Sequence, residues 1–450
     1  MRIHFIAIGG AAMHNLALAL YNKGFKVSGS DDEIFEPSRS RLAKCGLLPQ
    51  EYGWFPDKIS TDLDAVILGM HAREDNPELL RAKELGLPVF SYPEYLYEQT
   101  KDKKRIVIGG SHGKTTITAM ILHVLKMLKK DFDYMVGANI EGFDTMVSLS
   151  DAPIAIFEGD EYLSSPIDRR PKFHLYHPHI AVLSGIAWDH INVFPTFDNY
   201  VEQFQIFANK IEPKGDLIYF EGDKELQNIA QNLRPDINTY AYKALPYKVM
   251  NGISYLKSPY GVITLSIFGE HNMQNLSAAK AVCERIGISD EDFYKAISSF
   301  RGAAKRLQTL AKNRETSIFL DFAHSPSKLK ATTRAVKEQF AERKLIACME
   351  LHTFSSLKSN FLPQYKGAMD AADEAIVYFN PEVIKHKRLE NISAAQVKEA
   401  FGGRVQVYTE SEKLQAYLHS LDLKGKNLLL MSSGNFSGID FKSFAQELMA

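Results

Sequence analysis

The segment that decides the fold of the central part of the chain is residues 106–116, which read IVIGGSHGKTT. The apolar run at 106–108 predicts a strand, and the apolar stretch at 117–129 predicts a helix. Between them, a glycine-rich turn lets the backbone approach anionic oxygens, because consecutive N–H groups and a helix N-terminus form a cradle for negative charge. The segment therefore predicts a phosphate-binding strand–turn–helix unit.

The polar residues of this turn predict a nucleotide site. Lys114 would supply positive charge to the β- and γ-phosphates, and the Thr115 hydroxyl is the usual contact for Mg²⁺. The common pattern has a glycine where this chain has Ile108, so the loop is a shorter variant. The alternative is a plain glycine turn followed by a lysine on a helix surface. The predicted ATP-binding residues of the turn are Gly110, Ser111, His112, Gly113, Lys114, Thr115 and Thr116.

Acidic residues follow the next predicted strand, at 154–157. Glu158 comes first off that strand, at the edge where parallel α/β sheets bind ligands. Mg²⁺ prefers oxygen ligands, so we predict Glu158 as a metal ligand, with Asp160 and Glu161 near a second ion or a water. A solvated acidic turn is the alternative. The strand predicted at 180–184 leads to the pair Asp189-His190, for which an ordinary structural histidine stays possible.

The rest of the chain alternates short apolar runs with amphipathic helical stretches, which is typical of βαβ units with parallel sheets. We predict three α/β domains in series, over residues 1–104, 105–308 and 309–450. The first boundary lies in the polar, lysine-rich stretch 100–105. In the first domain, residues 9–13 follow a strand and open a helix, which suits a diphosphate or a tight turn. The third glycine of a dinucleotide fingerprint is missing there.

Composition excludes several classes of protein. At about 100–200 residues per domain, 450 residues indicate two to four domains, and 53 basic against 54 acidic residues give a net charge of −1. That balance argues against a nucleic-acid coat, and no run of apolar residues suggests membrane insertion. Neither a signal peptide nor a C-x-x-C spacing among the three cysteines is found. We expect a cytoplasmic protein without disulfides, and the sequence gives no indication of oligomeric state.

Taken in order along the whole chain, these motifs resemble the Mur ligase family, the ATP-dependent amide-forming enzymes of peptidoglycan assembly. The resemblance includes the short P-loop, Glu158 and the Asp189-His190 pair. It continues through three later segments, FGEHNMQNLSAA at 268–279, FRGAAKR at 300–306 and DFAHSP at 321–326. It implies an N-terminal Rossmann-like domain for a UDP-sugar, a central P-loop ATPase-like domain and a C-terminal Rossmann-like domain.

The resemblance also implies roles for individual residues, with ATP and Mg²⁺ as cofactors. Lys114, Glu158 and His190 would be catalytic, and Thr115, Glu158 and His190 would hold metal. Further ATP contacts would come from the later motifs, namely His271, Asn272, Asn275, Arg306, Asp321 and His324. The UDP-sugar would be bound by Gly9, Gly10, Ala11, Ala12, Met13, Asp31 and His71.

The activity implied is ligation of the carboxylate of UDP-N-acetylmuramate to an amine through an acyl phosphate. Two amines are candidates for the second substrate. Tyr162 and the segments 168–178 and 431–438 favour the recycled tripeptide L-Ala-γ-D-Glu-meso-diaminopimelate over L-alanine. Residues 9–13 match neither version fully, and residues 351–353 replace the arginine-bearing segment that the family leads us to expect. Three other functions are considered: a folate-polyglutamate or cyanophycin-type ligase, a P-loop GTPase and a non-catalytic nucleotide-sugar-binding regulator. The N/T-K-x-D signature of a GTPase is not found in the sequence.

Overall fold

The structure is a computed structural model of the chain and describes residues 1–70 and 72–449. The chain divides into two compact units, one formed by Met1–Ile186 with Val201–Tyr242 and the other by Ala187–Tyr200 with Lys243–Ala450. In the part of the chain that the structure describes, no helix is both long and apolar enough to cross a membrane. His71, predicted to face the UDP-sugar, lies outside the described residues.

The first unit begins with a sheet of four parallel strands. These strands are β1 (Arg2–Ile6), β2 (Lys26–Ser30), β3 (Ala65–Leu68) and β4 (Val89–Ser91). The accompanying helices are α1 (Ala11–Asn22), α2 (Ser38–Lys44), α3 (Pro77–Glu84) and α4 (Tyr92–Glu98). The strand order is β2-β1-β3-β4, so the chain changes direction across the sheet at β1. The carboxyl end of β1 is therefore the point where such sheets bind ligands.

A seven-stranded sheet follows in the same unit. Its strands are β5 (Lys104–Gly109), β6 (Asp133–Met135), β7 (Val147–Ser148), β8 (Ile154–Glu158), β9 (Ile180–Leu183), β10 (Asp216–Phe220) and β11 (Asn238–Tyr242). The helices are α5 (Lys114–Met127), α6 (Phe197–Asn209), which belongs to this unit from Val201 onward, and α7 (Lys224–Gln231). All pairings are parallel except that of the edge strand β7. In the order β11-β10-β9-β5-β8-β6-β7, β5 lies between β9 and β8, which makes its carboxyl end the switch point of this sheet.

Two polar contacts join the parts of the first unit. The side-chain oxygen of Asn15, buried on α1, accepts the Met146 N–H at 2.9 Å, just before β7. The guanidinium of Arg170 lies 3.1 Å from the Glu94 carboxylate on α4. The four-stranded and seven-stranded sheets are thus connected by specific bonds within one compact unit.

The second unit carries a small antiparallel sheet and a larger mixed one. The small sheet consists of β12 (Tyr247–Met250), β13 (Ile253–Ser258) and β14 (Gly261–Leu265), followed by α8 (Glu270–Arg285) and α9 (Asp290–Ile297). The larger sheet contains β15 (Gln308–Lys312), β16 (Ser317–Asp321), β17 (Lys344–Leu351), β18 (Glu374–Phe379), β19 (Gln406–Tyr408) and β20 (Lys426–Met431). Its helices are α10 (Pro326–Gln339), α11 (Pro381–His386), α12 (Ala394–Ala400), α13 (Ser411–His419) and α14 (Phe441–Glu447).

The larger sheet has the order β15-β16-β20-β17-β18-β19, and only its edge strand β15 is antiparallel. Successive side chains of β17 enter different cores: Ala347 and Met349 belong to one cluster, Ile346 and Cys348 to another. Both faces of the strand are therefore buried, as expected for a sheet covered by helices on both sides. The predicted α/β class is confirmed.

Candidate active site

The glycine turn of the central sheet is fixed against the strand beside it. Gly110 has φ +130°, and a Cβ atom there would lie 2.2 Å from the Ser184 hydroxyl oxygen. The Ser184 hydroxyl donates to the carbonyls of Gly109 and His112, and the Ser111 N–H donates to Gly185 O at 2.9 Å. These bonds hold the turn in one shape, and only glycine fits at position 110.

Gly113 ends the turn in the left-handed region, with φ +80°, and α5 begins at the next residue. Lys114, Thr115 and Thr116 therefore stand in the first turn of a helix, where the helix dipole favours an anion. Thr115 and Thr116 are buried. The predicted strand–turn–helix unit is present in the structure.

The Lys114 ammonium lies within a group of carboxylates. Its Nζ atom donates to Gly110 O at 2.7 Å and lies 2.6 Å from Oε2 of the fully buried Glu161. Burial by itself lowers the pKa of Lys114, but Glu161, Asp160 and Glu158 outweigh it, so the pKa stands above its ordinary value. The lysine is consequently charged at neutral pH and bonded to the turn that would hold a phosphate.

Thr115 and Glu158 form the pair that could hold a cation. The Thr115 hydroxyl lies 2.8 Å from Oε1 of Glu158, and the Gly137 N–H donates to Oε2 of the same carboxylate at 2.7 Å. Two oxygen donors at one point suit Mg²⁺, which takes its other ligands from phosphates and water. Among the described residues, no three His, Cys, Asp or Glu side chains are grouped to hold a metal by themselves. The oxygen atoms of Thr115 and Glu158 are donors of the kind that Mg²⁺ takes.

The other two acidic residues predicted near a second ion are engaged by lysines. Asp160 pairs with Lys172 at 2.6 Å, and Glu161 pairs with Lys114. The segment that follows, from residue 167 to 177, borders a cavity of about 530 Å³. The charged residues that line this cavity are Asp168, Arg169, Arg170 and Lys210.

The glycine turn of the N-terminal sheet is arranged differently. The Gly9 N–H donates to Oδ2 of Asp31 at 2.6 Å, and α1 begins at Ala11 after Gly10. Burial raises the pKa of Asp31 to about 6, against the opposing effect of the bond from Gly9. Ala11 and Ala12 are exposed and Met13 is buried. The structure thus brings Gly9 and Asp31 together, two of the residues predicted to bind the UDP-sugar.

In the second unit, Asp189 and His324 come together although they are distant in sequence. Oδ2 of Asp189 lies 3.7 Å from Nε2 of His324 and 3.3 Å from the ammonium of Lys328. Burial would raise the pKa of Asp189, but the neighbouring cation and imidazoles hold it well below its ordinary value. The DFAHSP motif and the Asp-His pair therefore belong to one cluster.

Asp321 lies at the end of β16, and backbone N–H groups hold its side-chain carboxylate in place. Its two oxygens accept the N–H groups of Leu307 and Ala323, each at 2.7 Å. His271 lies near it: burial lowers the pKa of His271, and the negative charge of Asp321 acts in the opposite direction.

The remaining predicted ATP contacts of the second unit are partly engaged within the protein. The Asn272 amide donates to Phe268 O at 2.9 Å, and the Asn275 amide donates to Oδ1 of Asn272 at 3.3 Å. The Arg306 guanidinium stands 4.7 Å above the centre of the Phe322 ring. Because the ring belongs to the DFAHSP motif, Arg306 and that motif are neighbours.

Sequence reasoning missed Lys328 and Ser184. Lys328 lies only four residues after His324, but His324 precedes α10, so no helical spacing links the two and the contact with Asp189 depends on the fold. For Ser184 no local signal exists, since its contact with the glycine turn depends on the order of the strands.

Comparisons with known proteins agree with this arrangement. Three family descriptions match: "Mur ligase family, catalytic domain" at residues 2–104, "Mur ligase middle domain" at 108–283 and "Mur ligase, glutamate ligase domain" at 305–434. A UDP-N-acetylmuramate–L-alanine ligase from Caldicellulosiruptor bescii is 31% identical over 432 residues, which cover 93% of this chain and 88% of that one.

Solved structures share the fold over the whole chain. A murein peptide ligase from Psychrobacter arcticus has a TM-score of 0.69 at 23% identity, covering 100% of this chain and 98% of that one. A UDP-N-acetylmuramate–alanine ligase from Thermotoga maritima has a TM-score of 0.72 at 21% identity, with the same coverage. With a P-loop, a Thr–Glu pair and three α/β domains in series, the chain belongs to the Mur ligase family of ATP-dependent ligases.

Proposed function

We propose that this ligase joins the carboxylate of UDP-N-acetylmuramate to the amine of the tripeptide L-Ala-γ-D-Glu-meso-diaminopimelate, as a step in peptidoglycan recycling in the cytoplasm. The observation that carries the ligase chemistry is the grouping of Lys114, Thr115 and Glu158 at the switch point of the seven-stranded sheet. The proposed domains of the ligase are residues 1–104, 105–308 and 309–450.

The first half of the reaction is phosphoryl transfer from ATP to the muramoyl carboxylate. Amide formation from a carboxylate needs this activation, because a carboxylate is a poor electrophile. Lys114 would bind the β- and γ-phosphates and stabilise the charge that develops during transfer, while the 110–116 turn orients them. Mg²⁺ held by Thr115 and Glu158 would neutralise phosphate charge when bound.

The second half is attack of the amine on the acyl phosphate, through a tetrahedral intermediate that expels phosphate. We assign His190 to metal or acyl-phosphate binding at this stage. We assign the residues of the later motifs to ATP, namely His271, Asn272, Asn275, Arg306, Asp321 and His324. Exclusion of water from the site would protect the acyl phosphate from hydrolysis.

The UDP-sugar is assigned to the N-terminal domain. Residues 9–13 follow β1, at the switch point of the four-stranded sheet, and open α1, a position suited to a diphosphate. Asp31 and His71 complete the proposed contacts. Since the Gly9 N–H is bonded to Asp31 and the Gly10 N–H to the Ala7 carbonyl, we expect a diphosphate to use the N–H groups of residues 11–13.

Two candidate amines are supported by different observations. Tyr162 and the segments 168–178 and 431–438 resemble the tripeptide enzymes of the family, and the Psychrobacter arcticus structure is named as a murein peptide ligase. L-alanine is the second candidate, because the Caldicellulosiruptor bescii relative is named as an L-alanine ligase.

A side-by-side ligation assay tests the proposal. The protein is incubated with ATP, Mg²⁺ and UDP-N-acetylmuramate, and with either the tripeptide or L-alanine, while phosphate release and product mass are recorded. Turnover with the tripeptide alone supports the proposal, and turnover with L-alanine alone replaces it with the second candidate. If neither amine is ligated while UDP-N-acetylmuramate still binds, a non-catalytic nucleotide-sugar-binding regulator becomes the better description.

A further inference from the structure

Lys328 lies where two of the sequence motifs meet. It stands on α10, four residues after His324, and its ammonium lies 3.3 Å from Oδ2 of Asp189 and 3.5 Å from Nε2 of His324. The Asp189 side chain is almost fully buried, whereas that of Lys328 is about one-fifth exposed. The ammonium thus connects a carboxylate and an imidazole that lie 135 residues apart in the chain.

The hydrogen bonds of His324 define what its ring offers to Lys328. Nδ1 of His324 lies 2.8 Å from the carbonyl oxygen of Phe322, which can only accept, so Nδ1 carries the proton. Burial and the neighbouring Lys328 lower the pKa of His324 despite the opposing charge of Asp189, which agrees with a neutral ring. Nε2 therefore presents a lone pair, and Lys328 is the donor that faces it.

The second oxygen of Asp189 reaches the backbone of His190. Oδ1 accepts the His190 N–H at 2.8 Å, and His190 has φ +54°, in the left-handed region that non-glycine residues rarely adopt. The carbonyl of His190 also accepts the Val193 N–H at 2.8 Å. A strained conformation of this kind persists only where surrounding bonds hold it. Asp189 thus links Lys328 on one side to the strained backbone of His190 on the other.

We propose that Lys328 is a positioning residue of the ligase: through Asp189 it holds His190 in the left-handed conformation that aims the imidazole. The proposal rests on the role assigned above to His190. Without the ammonium, Asp189 would remain buried beside a neutral imidazole, a situation that favours reorientation of the carboxylate. The bond from Oδ1 to the His190 N–H would then be lost and the turn at 188–194 would relax.

Three variants separate positioning from a general effect on stability. K328M removes the charge and keeps the bulk of the stem, K328R restores a cation, and K330M removes an exposed lysine from the same helix as a matched control. Hydrogen exchange of peptides that cover residues 188–194 is measured by mass spectrometry without ligands. Ligation kinetics are measured in parallel at varied ATP.

We expect K328M to accelerate exchange in 188–194 by about tenfold or more and to lower kcat by about 10–100-fold, the usual range for residues that orient a ligand of a metal. The KM for ATP should stay within about threefold, because Lys328 acts through His190. K328R should recover most of both losses, and K330M should match the wild type in exchange and in kcat.

The proposal is overturned if K328M leaves exchange in 188–194 unchanged, or if exchange rises equally throughout the protein. Should K328M not accumulate as a folded protein, K328Q is measured in its place and judged by the same criteria. The variant H190A separates this proposal from the proposed function. If H190A ligates normally, the role given to His190 is wrong, whereas the exchange result for K328M still decides whether Lys328 holds the turn.

Discussion

The two glycine turns of the first unit have the same strand–turn–helix order, but the charged side chains bonded to them have opposite signs. Each follows the strand at the switch point of its sheet and opens a helix. In the central turn the charged group bonded to the turn is the ammonium of Lys114. In the N-terminal turn it is the carboxylate of Asp31, which accepts the Gly9 N–H.

The difference shows that a strand–glycine–helix geometry does not by itself make a strong phosphate site. Backbone N–H groups and a helix dipole are present in both turns, but they contribute modestly beside a full charge at close range. The central turn has a lysine and an oxygen pair for a cation, as triphosphate chemistry requires. The N-terminal turn instead has an acid with a raised pKa, so a diphosphate there would depend mainly on backbone N–H groups.

The largest effect is expected from removal of the central cation. K114A should lower ligation by at least about a thousandfold, because the charge that stabilises the transferring phosphoryl group is lost. Binding of UDP-N-acetylmuramate, measured by calorimetry, should stay nearly unchanged. K126A, on the exposed side of the same helix, is the control and should ligate normally. Ligation retained in K114A would remove the central turn from the chemistry.

A smaller contrast is expected between alanine substitutions in the two turns. G110A should lower the free energy of unfolding by about 2–4 kcal/mol, because the new Cβ meets Ser184 and φ is positive. In G10A the nearest atom would lie at an ordinary 3.4 Å and φ is −55°, so stability should stay within about 0.5 kcal/mol of wild type. Urea denaturation of both variants measures the contrast. Equal losses would mean that the two turns are equally constrained.

The smallest effect concerns the pH dependence of stability at the N-terminal turn. The pKa of Asp31 is about 6 in the folded protein and lies near 3.8 when the chain is unfolded. The folded state therefore binds more protons between these values, and the contribution of Asp31 to the free energy of unfolding should fall by about 1–3 kcal/mol as pH rises from 4 to 6.

Urea denaturation of the wild type and of D31N is compared at several pH values. The contributions of the other carboxyl groups to the pH dependence then cancel in the difference between the two proteins. The free energy of unfolding of the wild type, relative to D31N, should decline over that pH range. A difference that stays constant with pH, or that rises, would contradict a raised pKa for Asp31.

Local patterns in the sequence were sufficient for the buried strands and for the central turn. The run at 106–108 and the helix after Gly113 are where the pattern predicted them, because a fully buried parallel strand and a glycine-to-helix turn have strong local signals. The pairing of Thr115 with Glu158 could be anticipated from the rule that ligands bind at the carboxyl edge of such a sheet.

Other features depend on contacts that local patterns do not encode. The edge strands β7 and β15 are short or exposed and carry little periodic signal. The bond between Asp31 and Gly9 joins residues 22 positions apart, and the contact between Lys328 and Asp189 joins residues 139 positions apart. Such pairs are set by strand order and helix packing, so they became visible only in three dimensions.

The bond from the Met146 N–H to Asn15 has a consequence for engineering. A chimaera that grafts the first 104 residues of a relative onto this chain would bring a foreign α1 against the strand beside Met146, and a foreign α4 against Arg170. The graft would leave the Met146 N–H without its acceptor unless the donor supplies an asparagine at that place, whereas the Arg170 guanidinium would lose Glu94 but keep Asp168. A graft of these residues between relatives therefore has to preserve the bond between α1 and the Met146 N–H.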